Sequence, residues 1–319
     1  MVNLSNPQEP AHDETSRKRV KVEVNMAHFP FFALSRQDMQ RRQKTEYEII
    51  RTTDGVTEQA LWKVTANASY GYPGPFDRKV FKAIEYLMTF QTLPVTNPVC
   101  FTLPQIGALL GMGPSGRSRS QIKASLRRIV ATTIETAGSL YSKETGTYLS
   151  DTFHLIDRVV FRGTKLPDGR KAETNYLYLS DWYLSNVQAG YARPIDFFYQ
   201  RDLSSDIASR LYELLSSKFY GAFKHQRPYV RIEYDELCAL LPITPQKFLS
   251  KARNNLQPAH QELMDTGFLE KATWEDRYLI YHPGSLALAE FNEATGQIIR
   301  PSNPVVLKEP TAKESPTEP

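Results

Sequence analysis

Residues 75–90, PFDRKVFKAIEYLMTF, place Phe76, Val80, Ile84, Leu87 and Met88 on one stripe at helical spacing, with charged residues between them. Residues 205–221, SDIASRLYELLSSKFYG, do the same with Ile207, Leu211, Leu214, Leu215 and Phe219. Both stretches predict amphipathic helices. Each is followed by a short apolar extended run, Val99-Cys100-Phe101-Thr102-Leu103 in one place and Tyr229-Val230-Arg231-Ile232-Glu233-Tyr234 in the other. A short helix comes next in both, because residues 105–112 (QIGALLGM) align without gaps on residues 236–243 (ELCALLPI), 131 positions later.

A turn and a longer helix then follow in each half. GPSGRS (113–118) leads into RSQIKASLRRIVATTI, and Ile243-Thr244-Pro245 leads into a helix running to Gly267, with Pro245 in its first turn and Thr244 as its cap. The sequence beyond each long helix is β-rich. In the first half it is long, with hairpin turns at 143–146 (KETG) and 167–169 (PDG); in the second it is one compact hairpin, 267–281, turning at Glu275-Asp276. Helix, strand, helix, turn, helix, hairpin is the order of a winged helix. The pattern therefore predicts an α+β fold of two tandem winged-helix domains, 28–193 and 194–285, the first enlarged by N-terminal strands FPFFAL, EYEIIRTT and ALWKVTA. Residues 1–27 and 286–319 are polar and rich in charge or proline, and are expected to be disordered tails, the first carrying the basic run Ser16-Arg17-Lys18-Arg19-Val20-Lys21.

Composition narrows the function classes. With 319 residues, 41% hydrophobic and 23% charged, the chain reads as an ordinary globular protein of two domains. No apolar run is long enough to span a bilayer and the N-terminus lacks the regions of a secretory signal, so no membrane partner is expected and the cytoplasm is the expected compartment. The two cysteines, Cys100 and Cys238, stand far apart without metal-ligand spacing and read as small buried hydrophobes. No metal or cofactor is expected.

A net charge of +4 is only mildly basic, but its distribution is uneven. Between Leu110 and Ile134 stand Arg117, Arg119, Lys123, Arg127 and Arg128 with no carboxylate. On the first long helix Ile122, Leu126 and Ile129 form the inward face, which turns Lys123, Arg127 and the turn residues Arg117, Arg119 and Ser120 outward. The second offers Gln246, Lys247, Lys251, Arg253, Asn254, Asn255 and Gln257 around an inward set of Phe248, Leu249, Ala252 and Leu256. Arginine bonds bidentately to guanine and Asn or Gln to adenine, so this second set has the chemistry of base readout, while the first suits phosphates.

Enzyme motifs are weak by comparison. Residues 111–118 (GMGPSGRS) fit a phosphate-cradling loop except for arginine in place of its lysine, and Asp157 could stand for the accompanying magnesium ligand. Such a loop must follow a buried strand, whereas Ile106 to Met112 reads as a helix. The six histidines form no pair flanking one apolar residue, as a nicking enzyme's metal would require, and no nucleophile elbow or HExxH helix occurs. No catalytic constellation is found.

The blocks HFPFFALSRQD, FDRKVFKAIEYLM, FTLPQIGALLGM, NYLYLSDWYLSNV, SRLYELLSSKFY and YDELCALLPI, spread over most of residues 28–285, resemble the plasmid replication initiator protein A family, and more distantly other iteron-binding initiators. The resemblance implies a non-enzymatic bacterial initiator. Such proteins bind directly repeated origin sites in double-stranded DNA as monomers, help melt an adjacent AT-rich tract, bring in the host initiator and helicase, and as dimers often repress their own gene. Two other readings stand beside it: a winged-helix transcriptional regulator, and a nucleotide-dependent enzyme using the 111–118 loop.

Overall fold

In the computed structural model, which describes residues 19–53, 56–91 and 94–296, the chain opens with strand β1 (Arg19–Glu23) and helix α1 (Val24–His28), followed by α2 (Arg36–Arg41), β2 (Lys44–Thr53) and β3 (Val56–Thr65). Next come α3 (Pro75–Thr89), β4 (Val99–Phe101), α4 (Leu103–Leu109), α5 (Gly116–Val130), β5 (Thr133–Ser142), β6 (Thr147–His154), β7 (Ile156–Val160) and β8 (Asn175–Leu179). The second half begins after α6 (Asp181–Gln188), β9 (Ala192–Asp196) and α7 (Phe197–Asp202); it contains α8 (Asp206–Lys224), β10 (Val230–Glu233), α9 (Tyr234–Leu240), α10 (Leu249–Asp265), β11 (Leu269–Glu275), β12 (Tyr278–Pro283) and α11 (Ser285–Thr295). The fold mixes helices with several small sheets.

The internal repeat is structural. α3 and α8, β4 and β10, and α4 and α9 each begin 131 residues apart, and α4 and α9 also end 131 apart. Each half carries a three-stranded antiparallel sheet with the same strand order, first, last, middle: β4-β8-β7 and β10-β12-β11. The expected turns at 143–146 and 167–169 join β5 to β6 and β7 to β8. A four-stranded sheet, β2-β3-β5-β6, is added to the first half.

That added sheet does not include FPFFAL, which was expected as a strand. Residues 29–34 run irregularly, with Phe29, Phe31, Phe32, Ala33 and Leu34 all buried. Phe29 stacks on fully buried Trp62 of β3 at 4.9 Å, and the Trp62 indole donates to the Pro30 carbonyl at 2.8 Å. Four bulky apolar side chains fill space around the sheet from a coil, so their density looked like a strand's.

Both expected tails are shorter than read from composition. Val20 and Val22 alternate with charged residues on β1, which pairs antiparallel with β9, and both valines are fully buried. The expected domain boundary, between 193 and 194, falls inside β9. At the other end, α11 buries Ala287, Leu288 and Phe291, and Arg19 on β1 reaches it, pairing with Glu293 and donating to the Glu290 carbonyl at 3.1 Å. The rest of both tails, 1–18 and 297–319, with Ser16, Arg17 and Lys18 of the basic run, lies outside the described residues.

Buried charge joins the halves. Lys82 of α3 and Glu213 of α8 occupy equivalent repeat positions and form an ion pair at 2.8 Å, with Arg78 at 3.6 Å and Arg210 at 3.8 Å from the same carboxylate. Burial pushes the Glu213 carboxyl up, but the three cations outweigh it and hold it below its ordinary value. The Arg210 guanidinium also donates to the carbonyls of Ala27, His28 and Phe29 at 2.8, 2.9 and 3.1 Å, which fixes the N-terminal turn onto α8.

Candidate nucleic-acid interface

Helix α5 starts where Ser115 caps it: the Ser115 hydroxyl accepts from the Ser118 amide at 3.0 Å, and the Ser118 hydroxyl donates to the Gly113 carbonyl at 2.9 Å. The turn's hydroxyls thus serve the helix cap. What precedes it is helix α4 and a tight reversal at Gly111 (φ +68°), in place of the buried strand on which a phosphate loop is built.

The apolar stripe of α5 lies as expected, with Ile122, Leu126 and Ile129 fully buried. Its opposite face carries Arg117, Ser120 and Arg127, all exposed, with exposed Arg119 and half-buried Lys123 beside them. Lys123 and Arg127 are one turn apart and both lie over the Phe161 ring, at 5.2 and 5.4 Å, where the ring's negative face holds the cations side by side. Arg128 has another task. Its guanidinium binds both Asp77 oxygens at 2.7 and 2.8 Å and the Tyr70 carbonyl at 2.9 Å, tying α5 to the start of α3.

Helix α10 begins later than its proline suggests. Its N-cap is Phe248, so Thr244 does not cap it, and Gln246 and Lys247 belong to the lead-in turn. The Gln246 amide N–H donates to the Tyr234 hydroxyl at 2.9 Å, and its side chain donates to the Thr244 carbonyl at 3.1 Å, which uses Gln246 to hold the turn. Phe248, expected to face inward, is 65% exposed. The buried face is Ala252, Leu256, Ala259, His260 and Leu263. His260 bonds the Tyr281 hydroxyl at 3.1 Å and burial pushes it down to about 4, so it is a neutral core histidine.

Lys251, Arg253, Asn254, Asn255 and Gln257 are all exposed. At about 100° per residue, however, they form two flanks. Arg253 and Gln257 lie on one, next to the β11–β12 hairpin, where the Arg253 guanidinium stands 5.6 Å from the Trp274 ring. Lys251 and Asn255 lie on the other, and Asn254 points outward between them.

The loop between β7 and β8 was not among the expected contacts, and it carries Arg162, Lys165, Arg170 and Lys171, all exposed, with Arg170 paired to Asp168 at 2.7 Å. The corresponding hairpin of the second half differs: Glu275 and Asp276 are exposed at its tip, and Arg277 beside them pairs with Asp235. The rings that steady the helix cations, Phe161 and Trp274, are 34 to 38 and 21 positions away along the chain, a separation no local pattern reveals.

Of the cysteines, Cys238 is buried and its thiol is pushed up to about 11 by burial, as expected of a core residue. Cys100 is exposed, because its strand β4 turns only Val99 and Phe101 inward. Among the described residues, no group of three or more His, Cys, Asp or Glu is placed to hold a metal ion, and no helix is long and apolar enough to cross a membrane.

The fold is similar to that in a crystal structure of domains 2 and 3 of RctB, in selenomethionine form, at a TM-score of 0.51 and 16% identity over 82% of this chain and 98% of that one. A second crystal structure of RctB domains 2–3 gives a TM-score of 0.38 and 15% identity over 85% and 99%. No curated protein sequence matches this chain. The model of the family Replication initiator protein A matches residues 21–237, from β1 into α9, so that α10 lies beyond the matched segment. With more than half of its length under that match, the chain belongs to the Replication initiator protein A family.

Proposed function

We propose that this chain initiates replication from a plasmid origin in the bacterial cytoplasm by binding directly repeated sites in double-stranded DNA through two winged-helix units. Family membership supports an initiator role at an origin. The observation that carries the DNA reading is the repeat: a helix, strand and short helix recur 131 residues apart, each set ending in a long helix with an exposed polar face and a hairpin folded back onto its first strand. A protein with two such units has two helices to offer to one duplex.

The two units differ in chemistry. The α5 face and its hairpin offer Arg and Lys, which suit phosphates; α10 adds Asn254, Asn255 and Gln257 to Arg253, which suit base edges, beside a hairpin tip too acidic for the backbone. The second unit accordingly reads sequence and the first grips the backbone. When dimeric, the first also supplies part of the self-association surface. Opening of an AT-rich tract, recruitment of host initiator and helicase, and repression of its own gene belong to the same proposal.

The test is replication itself. A plasmid carrying only this gene and the repeats beside it should be maintained, and deletion of the repeats should abolish maintenance. Stable maintenance without the repeats would reject the initiator reading in this form.

A further inference from the structure

Phe248 breaks two local preferences at once. It stands at the N-cap of α10, where it supplies no side-chain acceptor to the free amides of the first turn, whereas Ser115 does so for α5. It is also 65% exposed, while Leu256 and Leu263 on the same helix are buried. A lone exposed hydrophobe is ordinary. This one is framed by cations: the Lys247 ammonium lies 5.7 Å from the ring centroid, and exposed Lys251 follows one turn later on the same flank, with Asn255 a further turn along. The first turn of α10 contains no acidic residue. An aromatic ring at the leading end of a helix, between groups that attract a polyanion, meets an apolar target on that polyanion.

Double-stranded DNA presents one such target in its major groove, the 5-methyl group of thymine. We infer that Phe248 is a specificity-determining residue that packs its ring on a thymine methyl, next to the bases addressed by Lys251 and Asn255. The inference rests on α10 as the base-facing helix, as proposed above. A helix entering the groove by its N-terminal end brings its N-cap deepest, which gives the ring its reach.

Uracil replaces thymine without that methyl and leaves every hydrogen-bonding group unchanged, so it isolates the contact. Duplexes enriched from random-sequence DNA by the full chain are resynthesised with each thymine changed singly to uracil, and affinities are measured. The wild-type chain should lose about fourfold at one thymine, the worth of one buried methyl group. Phe248→Ala should bind the unmodified duplex about as weakly and show no thymine preference there, while Phe248→Leu keeps it and Arg253→Ala keeps it while relaxing discrimination at a different base pair. Wild-type indifference to uracil at every position, or a thymine preference surviving in Phe248→Ala, overturns the inference and leaves DNA binding standing. Failure of any duplex to be enriched removes the DNA reading and the inference with it.

Discussion

Arg127 and Arg128 are neighbours with opposite tasks. Arg127 is exposed over the Phe161 ring, whereas Arg128 neutralises Asp77, whose side chain is only 1% exposed. Removing one partner of a buried pair leaves an uncompensated charge, so Arg128→Ala should destabilise the fold by about 3 kcal/mol, while Arg127→Ala leaves thermal melting unchanged. On DNA the proposed roles reverse the order. Arg127→Ala should weaken all sequences alike, and Arg253→Ala should cost about 1–3 kcal/mol at one base pair and relax discrimination there. Binding to every single-base variant of one repeat reads both effects; a changed base preference in Arg127→Ala with a uniform loss in Arg253→Ala would exchange the roles of the two helices.

Glu290 makes the stability of the fold depend on pH. Burial pushes its carboxyl up to about 7, against a favourable bond from the Tyr212 hydroxyl at 2.7 Å. A carboxyl whose folded value is raised binds its proton more tightly when folded, so the stability it contributes is present below the unfolded value near 4.5 and is lost as pH rises through about 7. Glu290→Gln, neutral at every pH, should therefore gain stability over wild type on going from pH 5 to pH 8, by up to roughly 3 kcal/mol. Parallel melting curves at the two pH values would argue against a buried proton at Glu290.

At the level of elements, what the sequence reveals follows from how local the determining contacts are. The stripes of α3, α5 and α8 are legible because one helix face meets one core, and the offset of 131 predicts the starts of three element pairs. β1 was hidden because only Val20 and Val22 mark it within a basic run, and its partner β9 lies about 170 residues downstream. The start of α10 was misread because Pro245 has the chemistry of a first helical turn, yet the Tyr234 hydroxyl holds the Gln246 amide in the turn before it. The inward face of α5 was legible, and on α10 Ala252 and Leu256 were, but the exposure of Phe248 and the division of the α10 polar set into two flanks depend on where the helix begins. Deleting residues 1–23 consequently should lower the melting temperature by several degrees, because it removes the partner of β9, two buried valines and the buried Glu23 that accepts from Met26 at 2.8 Å and Asn186 at 2.9 Å. Unchanged melting after that deletion would restore the reading of this segment as a solvated arm.

For the whole molecule, the halves are coupled through buried charge at equivalent positions, Lys82 on α3 and Glu213 on α8, with Arg78 and Arg210 around the same carboxylate. That coupling ties α3, to which Arg128 anchors α5, to α8, on which α10 packs, and under the proposed roles DNA affinity is the joint product of a backbone-gripping and a base-reading unit. The decisive measurement is the affinity of the full chain for a duplex carrying the direct repeats beside its gene, against a scrambled duplex of equal length, between about 50 and 200 mM salt. We expect at least a thousandfold preference for the repeats and, with six or more phosphate contacts, a fall of about a thousandfold in affinity across that salt range. Equal affinity for both duplexes, or a binding constant indifferent to salt, would rule out sequence-specific binding anchored on phosphates.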